Sequence, residues 1–514
     1  MIHTIGKKQR EARKLSARLA QKTTCALVAL GVFFAALILP PRADAASSDI
    51  VRVGLVYGTE AKTSINIDGL DAAFSAYEFG YFENGRTFVP SGVTTANDKL
   101  TIKPGSGNRI TVVVTGTSTV VYEMDCVPSE NKYLAIRPAE LQSGQNPVTV
   151  MKFTYGGVES ARQWYGAFEF RSSGGKISVI NVVSMDDYLK GVVPYEMSPS
   201  WPEEALKAQA VAARSYAYVM KAANKHSSYG FDLCPYQDCQ VYKGIDGASA
   251  VTNSAVDATS GLVMKYGGAV ITAFYSASDG GATESNINVY TADLAYIKGV
   301  YDGYEAAHPT YSSTIAWTES FTGAQLDTKL SNAGYNIGTV TSVQITQWSN
   351  VGNPIEVTFK DGSGNTVKLT KSKIRTVLGI ASMRFSLGGA EVPAVTSQKR
   401  TTISFLSAGG VLTSGNVADF YAQGTGGTVQ LNPDSLSIAT SAGMDESGSF
   451  YAEPCVNGSA TGTDASGKFV FKGAGHGHSL GMSQWGAYCQ AKYYGRGYAD
   501  ILSFYYTGIQ IVQY

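Results

Sequence analysis

A single long helical pattern, set in a chain that otherwise reads as strands and turns, limits the folds open to this sequence. From about Trp201 to Ala223, residues Leu206, Ala210, Ala213, Ala217 and Met220 recur at three- and four-residue steps, the period of one helix face. Most of these positions are alanine, and side chains that small are expected to let the helix lie close against a sheet. Ser200 is placed to cap it, Pro202 falls in its first turn, and Glu203 lies three residues after the cap. Glu203 and Glu204 face the positive end of the helix dipole and Lys221 sits near the negative end. The pattern predicts one long buried helix over residues 201–223.

Around it the texture is β. Residues 50 to about 175 alternate apolar and polar positions between turn clusters, with strands expected at 52–57, 110–114 and 176–183. Ser184 and Asp187 form a capping-box start for a short helix. Strands are expected again at 269–275 and 355–360, then a helix over 370–378 that ends at Gly379. Residues 388 to about 466 are rich in Ser, Thr and Gly and read as a β insertion. Beyond them, 482–494 and 499–506 read as helices, with Gly495 ending the first.

The N-terminus reads as a targeting segment. Lys7, Lys8, Arg10, Arg13, Lys14, Arg18 and Lys22 precede an apolar run from Cys25 to Leu39, followed by Pro40, Pro41 and a small-x-small site at Ala43–Ala45. That order is expected of a secretory signal cleaved after Ala45, with an uncleaved N-terminal anchor as the alternative. Either way the rest of the chain is exported, to the cell wall or the outer face of the cytoplasmic membrane. The formal charge of zero hides an asymmetry. Of 41 basic and 41 acidic residues, eight and two lie in the first 45, leaving 33 and 39, a net of −6. Such a balance argues against a nucleic-acid partner. Beyond the signal, five cysteines remain: Cys126, Cys234, Cys239, Cys455 and Cys489. An odd number leaves at least one thiol free, metal-bound or intermolecular.

Five segments carry the chemistry: Asp187–Met197 (DYLKGVVPYEM), Glu204–Ala217 (EALKAQAVAARSYA), Cys239–Gly244 (CQVYKG), Tyr275–Glu284 (YSASDGGATE) and Gly481–Ala487 (GMSQWGA). In this order they closely resemble the stage II sporulation protein D family, which includes the amidase-enhancer proteins. The resemblance covers roughly residues 175–385 and 467–514. It implies a peptidoglycan lytic transglycosylase acting on glycan strands, which cuts the MurNAc–GlcNAc β-1,4 bond and leaves a 1,6-anhydro-MurNAc end. It also allows a non-catalytic wall protein that enhances an N-acetylmuramoyl-alanine amidase. Texture and resemblance together give an α+β fold: a signal at 1–45, a β-rich domain at 46–175, a mixed core at 176–387 and 467–514, and a β insertion at 388–466.

Glu196 matches the family's catalytic glutamate. Its neighbours Val192, Val193, Pro194, Tyr195 and Met197 are of the kind that keeps a carboxyl group neutral by burial. A lytic transglycosylase needs only one such group, because the sugar's own 6-hydroxyl attacks the anomeric carbon. Ordinary glycosidases use two. Substrate contacts are expected from Gln209, Arg214, Ser276, Ser278, Glu284, His478, Ser483 and Gln484, with packing roles as the alternative for Gln209 and Arg214. Glu284 is the best second carboxylate. Some relatives bind zinc through two Cys and a nearby His. Here Asp238 stands where that His would be, so Cys234, Cys239, His226 and Asp238 are the possible zinc set, and a Cys234–Cys239 disulfide is the alternative. No cofactor is required for the chemistry. At the C-terminus the family's Trp-Gly-His-Gly reads His476-Gly477-His478-Ser479, which puts sugar stacking at the first position in doubt.

Overall fold

The computed structural model describes residues 49–69, 76–139, 148–155, 158–310, 315–388 and 463–514, together with the backbone of short strands within 389–462. The expected signal segment and most of the expected β insertion lie outside the described residues. Helices and many strands are both present, as an α+β fold requires.

Residues 50–184 form two six-stranded sheets. One runs in the order 50–56, 176–184, 167–173, 134–138, 77–83, 87–95. The other runs 158–164, 149–155, 65–69, 99–104, 109–114, 120–125. Period-two alternation decides which side chains go inward. Val53, Phe79, Ile136, Phe170 and Val179 from the first sheet share one core with Ile67, Ile102, Ile110, Val112 and Met151 from the second.

The last strand of the first sheet, Lys176–Ser184, feeds directly into α1 (Met185–Lys190). Ser184 caps α1, its hydroxyl accepting from the Asp187 amide. One turn later come α2 (Val193–Glu196) and α3 (Glu203–Ala223). The expected cap at Ser200 is not made. Its hydroxyl bonds that of Ser198, and the helix begins two residues later than expected, with Pro202 at the N-cap in extended conformation. Proline has no N–H to leave unpaired and its φ is already fixed, so the boundary falls there. Asn224 ends α3 in the left-handed region.

Ala205, Leu206, Ala208, Ala210, Val211, Ala212, Ala213 and Ala217 are all fully buried, so α3 is covered on nearly every side. Its expected cover, a sheet, is only part of what surrounds it. The strands Leu262–Tyr266, Ala269–Val270 and Gln510–Gln513 take one side. Helices α4 (Ala250–Ala258), α7 (Gln484–Tyr494) and α8 (Tyr498–Tyr505) take the rest. The alanines admit helices as readily as strands. Glu204 extends this packing by accepting the Tyr498 amide at 2.8 Å, which satisfies an open N–H at the start of α8. The strand expected at 269–275 is broken into Ala269–Val270 and Tyr275–Ser276, the second pairing in parallel with Met482–Ser483.

A second core gathers Leu326 and Leu330 of α5 (Gly323–Asn332), Ile374 and Leu378 of α6 (Ser372–Leu378), and Val343, Val357, Phe359 and Leu369 of the strands between them. Gly379 ends α6 at φ 68°. The strand Phe469–Ala474 lies between Ala316–Phe321 and Phe385–Leu387. It carries the chain back to the segment that completes the site.

Candidate active site

Glu196 is the last residue of α2, partly buried behind Val192, Val193 and Met197. The Tyr195 hydroxyl accepts the Gly247 amide at 3.1 Å and fixes this turn. Gln484, the first residue of α7, donates one amide N–H to the Glu196 carboxylate at 3.2 Å and lies 3.3 Å from the Gln209 side-chain oxygen on α3. The Gln209 oxygen therefore orients the Gln484 amide with its NH2 toward Glu196. Burial pushes the Glu196 carboxyl above its ordinary value, opposed by the Gln484 hydrogen bond and the Lys243 charge. The net effect keeps a proton on Glu196 to higher pH than an exposed glutamate would hold it.

Two motifs some 200 residues apart support Gln484. Tyr275 and Ser276 pair in parallel with Met482 and Ser483, the Trp485 amide donates to Ala277 O, and Ser278 bridges to His476. Gly280 has φ 75°, and a Cβ there would meet Ala474 O at 2.3 Å. This position admits no side chain. Ser483 caps α7 through the Gly486 amide at 3.1 Å and donates to Glu305, which also accepts Ser278 Oγ at 2.8 Å. Glu305 lies with Asp279 and Asp302 in a buried group whose carboxylate oxygens fall within 4.8 Å of one another.

Of the residues expected to contact substrate, Gln484 meets Glu196 and Gln209 meets Gln484, and Ser276, Ser278 and Ser483 form the frame around Gln484. His478 accepts the Leu480 amide at Nδ1 and packs edge-on against Phe274. Burial pushes its pKa down to about 4, so the ring is neutral at physiological pH. Arg214 and Glu284 belong to other networks. Arg214 is fully buried and pairs with Asp186 at 2.8 Å. Glu284 accepts from the Ser285 amide, Asn288 and Asn353. Both hold neighbouring segments in place.

Gln240, Tyr275, Glu305 and Ser479, beside the site, had no role assigned from sequence. Gln240 accepts from Tyr188 OH at 3.1 Å and donates to Tyr275 OH at 3.0 Å, and both phenols lie within electrostatic reach of Glu196. Gln240 and Tyr275 stand inside recognised motifs, which was a usable signal. Glu305 stands in none. Ser479 stands where the resembled C-terminal motif has glycine, and its φ of 59° is a conformation that suits glycine.

Away from Glu196, His226 Nε2 lies 3.4 Å from Cys239 Sγ and 3.6 Å from Asp238, and Cys234 Sγ lies 3.7 Å from Asp238. All four donor atoms fall within 4.8 Å of one another. Two thiols, an imidazole and a carboxylate at these separations fit a tetrahedral zinc site. The Cys239 thiol is pulled down to about 7, with the neighbouring Cys234 the largest cause.

Residues 173–266 match the family described as stage II sporulation protein. An uncharacterised protein of Brachyspira hyodysenteriae is 30% identical over 364 residues, covering 70% of this chain and 74% of its own length. The amidase enhancer of Bacillus subtilis is 32% identical over 329 residues, 63% of this chain and 40% of that protein. Stage II sporulation protein D of the same organism is 30% identical over 161 residues, 29% of this chain and 46% of its own. The chain thus spans less than half the length of the two Bacillus subtilis proteins.

Proposed function

The chain belongs to the stage II sporulation protein D family, and from that premise we propose that it is a peptidoglycan lytic transglycosylase with Glu196 as its single acid–base group. One observation carries the proposal. Glu196 is a desolvated carboxyl faced by amides, with Gln484 bonded to it and Gln209 behind. Such a group holds its proton to higher pH than an exposed glutamate does, and gives it to the glycosidic oxygen as the C1–O bond breaks. The carboxylate left behind accepts the Gln484 N–H. It then takes the proton from the sugar's 6-hydroxyl as that oxygen closes on C1. The products are a free 4-hydroxyl and a 1,6-anhydro ring, and Glu196 ends protonated again.

His226, Cys234, Asp238 and Cys239 are proposed to hold zinc as a structural cross-link of the loop after α3. When bound, zinc would supply rigidity there, and the proton transfers stay with Glu196. Glycan strands are the proposed partner, and the proposed location is the cell wall or the outer face of the cytoplasmic membrane. Among the described residues no helix is long and apolar enough to cross a membrane.

The second reading is a non-catalytic enhancer of an amidase, favoured by the likeness to the amidase enhancer. Digestion of purified glycan strands, intact and stripped of stem peptides, separates the two. The wild type is expected to release anhydro-ended fragments seen by mass spectrometry. Glu196→Gln is expected to lose about 10²- to 10⁴-fold in rate while keeping its fold. No fragments from either substrate would leave the enhancer reading standing.

A further inference from the structure

Immediately beside Glu196 the structure gathers aromatic rings that the acid–base chemistry does not use. Trp485 follows Gln484 on α7, and Trp201 closes the turn that leads from Glu196 into α3. Their ring centroids are 5.0 Å apart. Tyr488, one helical turn further along α7, lies 5.1 Å from Trp201 and 5.5 Å from Trp485. His308, from the turn after Glu305, sits edge-on to Trp485 at 4.8 Å and to Tyr488 at 5.7 Å. Tyr493 extends the group at 6.1 Å from Tyr488.

Rings gathered to fill a core are buried. Here Trp201, Trp485, Tyr488 and His308 are only partly buried and Tyr493 is 42% exposed. Gln484 touches Glu196 while Trp485 touches Trp201. Two neighbouring side chains of α7 therefore face the same short stretch of chain, and the aromatic surface continues the site around Glu196. We propose that Trp201, Trp485, Tyr488, His308 and Tyr493 form a stacking subsite for an N-acetylated sugar of the glycan strand. This rests on the reading of Glu196 as the residue that acts on that strand. The occupant follows from the surface: flat and amphipathic, with ring faces for the C–H face of a pyranose and the acetamido methyl, and hydroxyl and ring N–H groups for the sugar's polar rim.

The test uses the full mature chain carrying Glu196→Gln, so that binding is read without turnover. The probe is an N-acetylglucosamine tetramer, followed by calorimetry and tryptophan fluorescence. Trp485→Ala and Trp201→Ala are each expected to weaken binding roughly 5- to 10-fold, whereas Trp485→Tyr keeps most of it and shows that the fold tolerates change there. In the active chain, Trp485→Ala is expected to raise KM more than it lowers kcat. Unchanged affinity in both alanine variants, with the fold intact by circular dichroism, would overturn the subsite. If the wild type cleaves no glycan yet both alanine variants lose the tetramer, the subsite stands and the enzyme reading falls.

Discussion

At the residue scale, burial raises the Glu196 carboxyl and one amide opposes it. The Gln484 N–H favours the charged carboxylate, so it opposes the upward push of burial. In Gln484→Met that opposition is lost and the Glu196 carboxyl rises further. A general acid must be protonated, so the alkaline limb of the rate profile is expected to move to higher pH. A limb that stays put or moves down would mean the hydrogen bond does not act on the ionised form. Ser479 offers an independent test of backbone chemistry. It is buried in the left-handed region, and its hydroxyl has no hydrogen-bond partner among the described residues. Ser479→Gly removes the Cβ penalty without losing a bond, and is expected to raise stability by about 1 kcal/mol in urea denaturation. Sequence reading picked out Glu196, Gln209 and Gln484 because they stand in motifs. It left packing as the alternative for both Gln209 and Arg214 and did not foresee the buried partners of Arg214 and Glu284, because a motif records that a side chain matters and not what it faces.

At the scale of elements, helix ends were readable where a glycine stops the chain, as at Gly379 and Gly495, both in the left-handed region. The start of α3 was not, because Ser200 and Pro202 offer competing boundaries and the rigid one prevails. Nor was the break in 269–275, since the pairing of Tyr275 with Met482 depends on residues more than 200 positions away. The loop after α3 carries the element-scale prediction. If His226, Cys234, Asp238 and Cys239 bind zinc, the purified chain is expected to contain one zinc per molecule. Chelation should then lower its melting temperature, and Cys234→Ser should remove the metal. A chain two protons lighter under non-reducing conditions and indifferent to chelator would instead contain the Cys234–Cys239 disulfide. Cleavage of glycan strands is expected to persist after chelation wherever the fold does, because the proton transfers are proposed for Glu196 and not for the metal.

At the scale of the molecule, the site is assembled from segments that meet only in the folded chain, and three buried carboxylates mark the place. Asp279 comes from the loop after Tyr275. Asp302 and Glu305 come from the stretch leading to His308, and Tyr505 of α8 donates to Asp302 at 2.5 Å. Cys489 of α7 donates to Glu305 O, and Arg496 bonds the Tyr304 hydroxyl nearby. Burial, then the charges of Glu305 and Asp302, holds Asp279 well above its ordinary 3.8; burial likewise raises Asp302. A protonated Asp279 can donate to Asp302, which accounts for its otherwise unpartnered oxygen. In the unfolded chain both groups ionise near their ordinary value. Between that value and the raised one the folded chain holds more protons, so stability falls as pH rises and levels off once the folded groups have ionised. Asp279→Asn removes a titrating group and supplies an N–H in place of the proton. Its stability is expected to decline less steeply with pH than the wild type's, with the two differing most on the alkaline side. Denaturant midpoints measured from pH 5 to 9 would show this, and parallel curves would mean that Asp279 is ionised in the folded chain. Because Glu305 also accepts from Ser483, which caps the helix carrying Gln484, ionisation of this group is expected to loosen the partner of Glu196 before it unfolds the chain. Glycan cleavage should therefore fail at lower pH than global structure does.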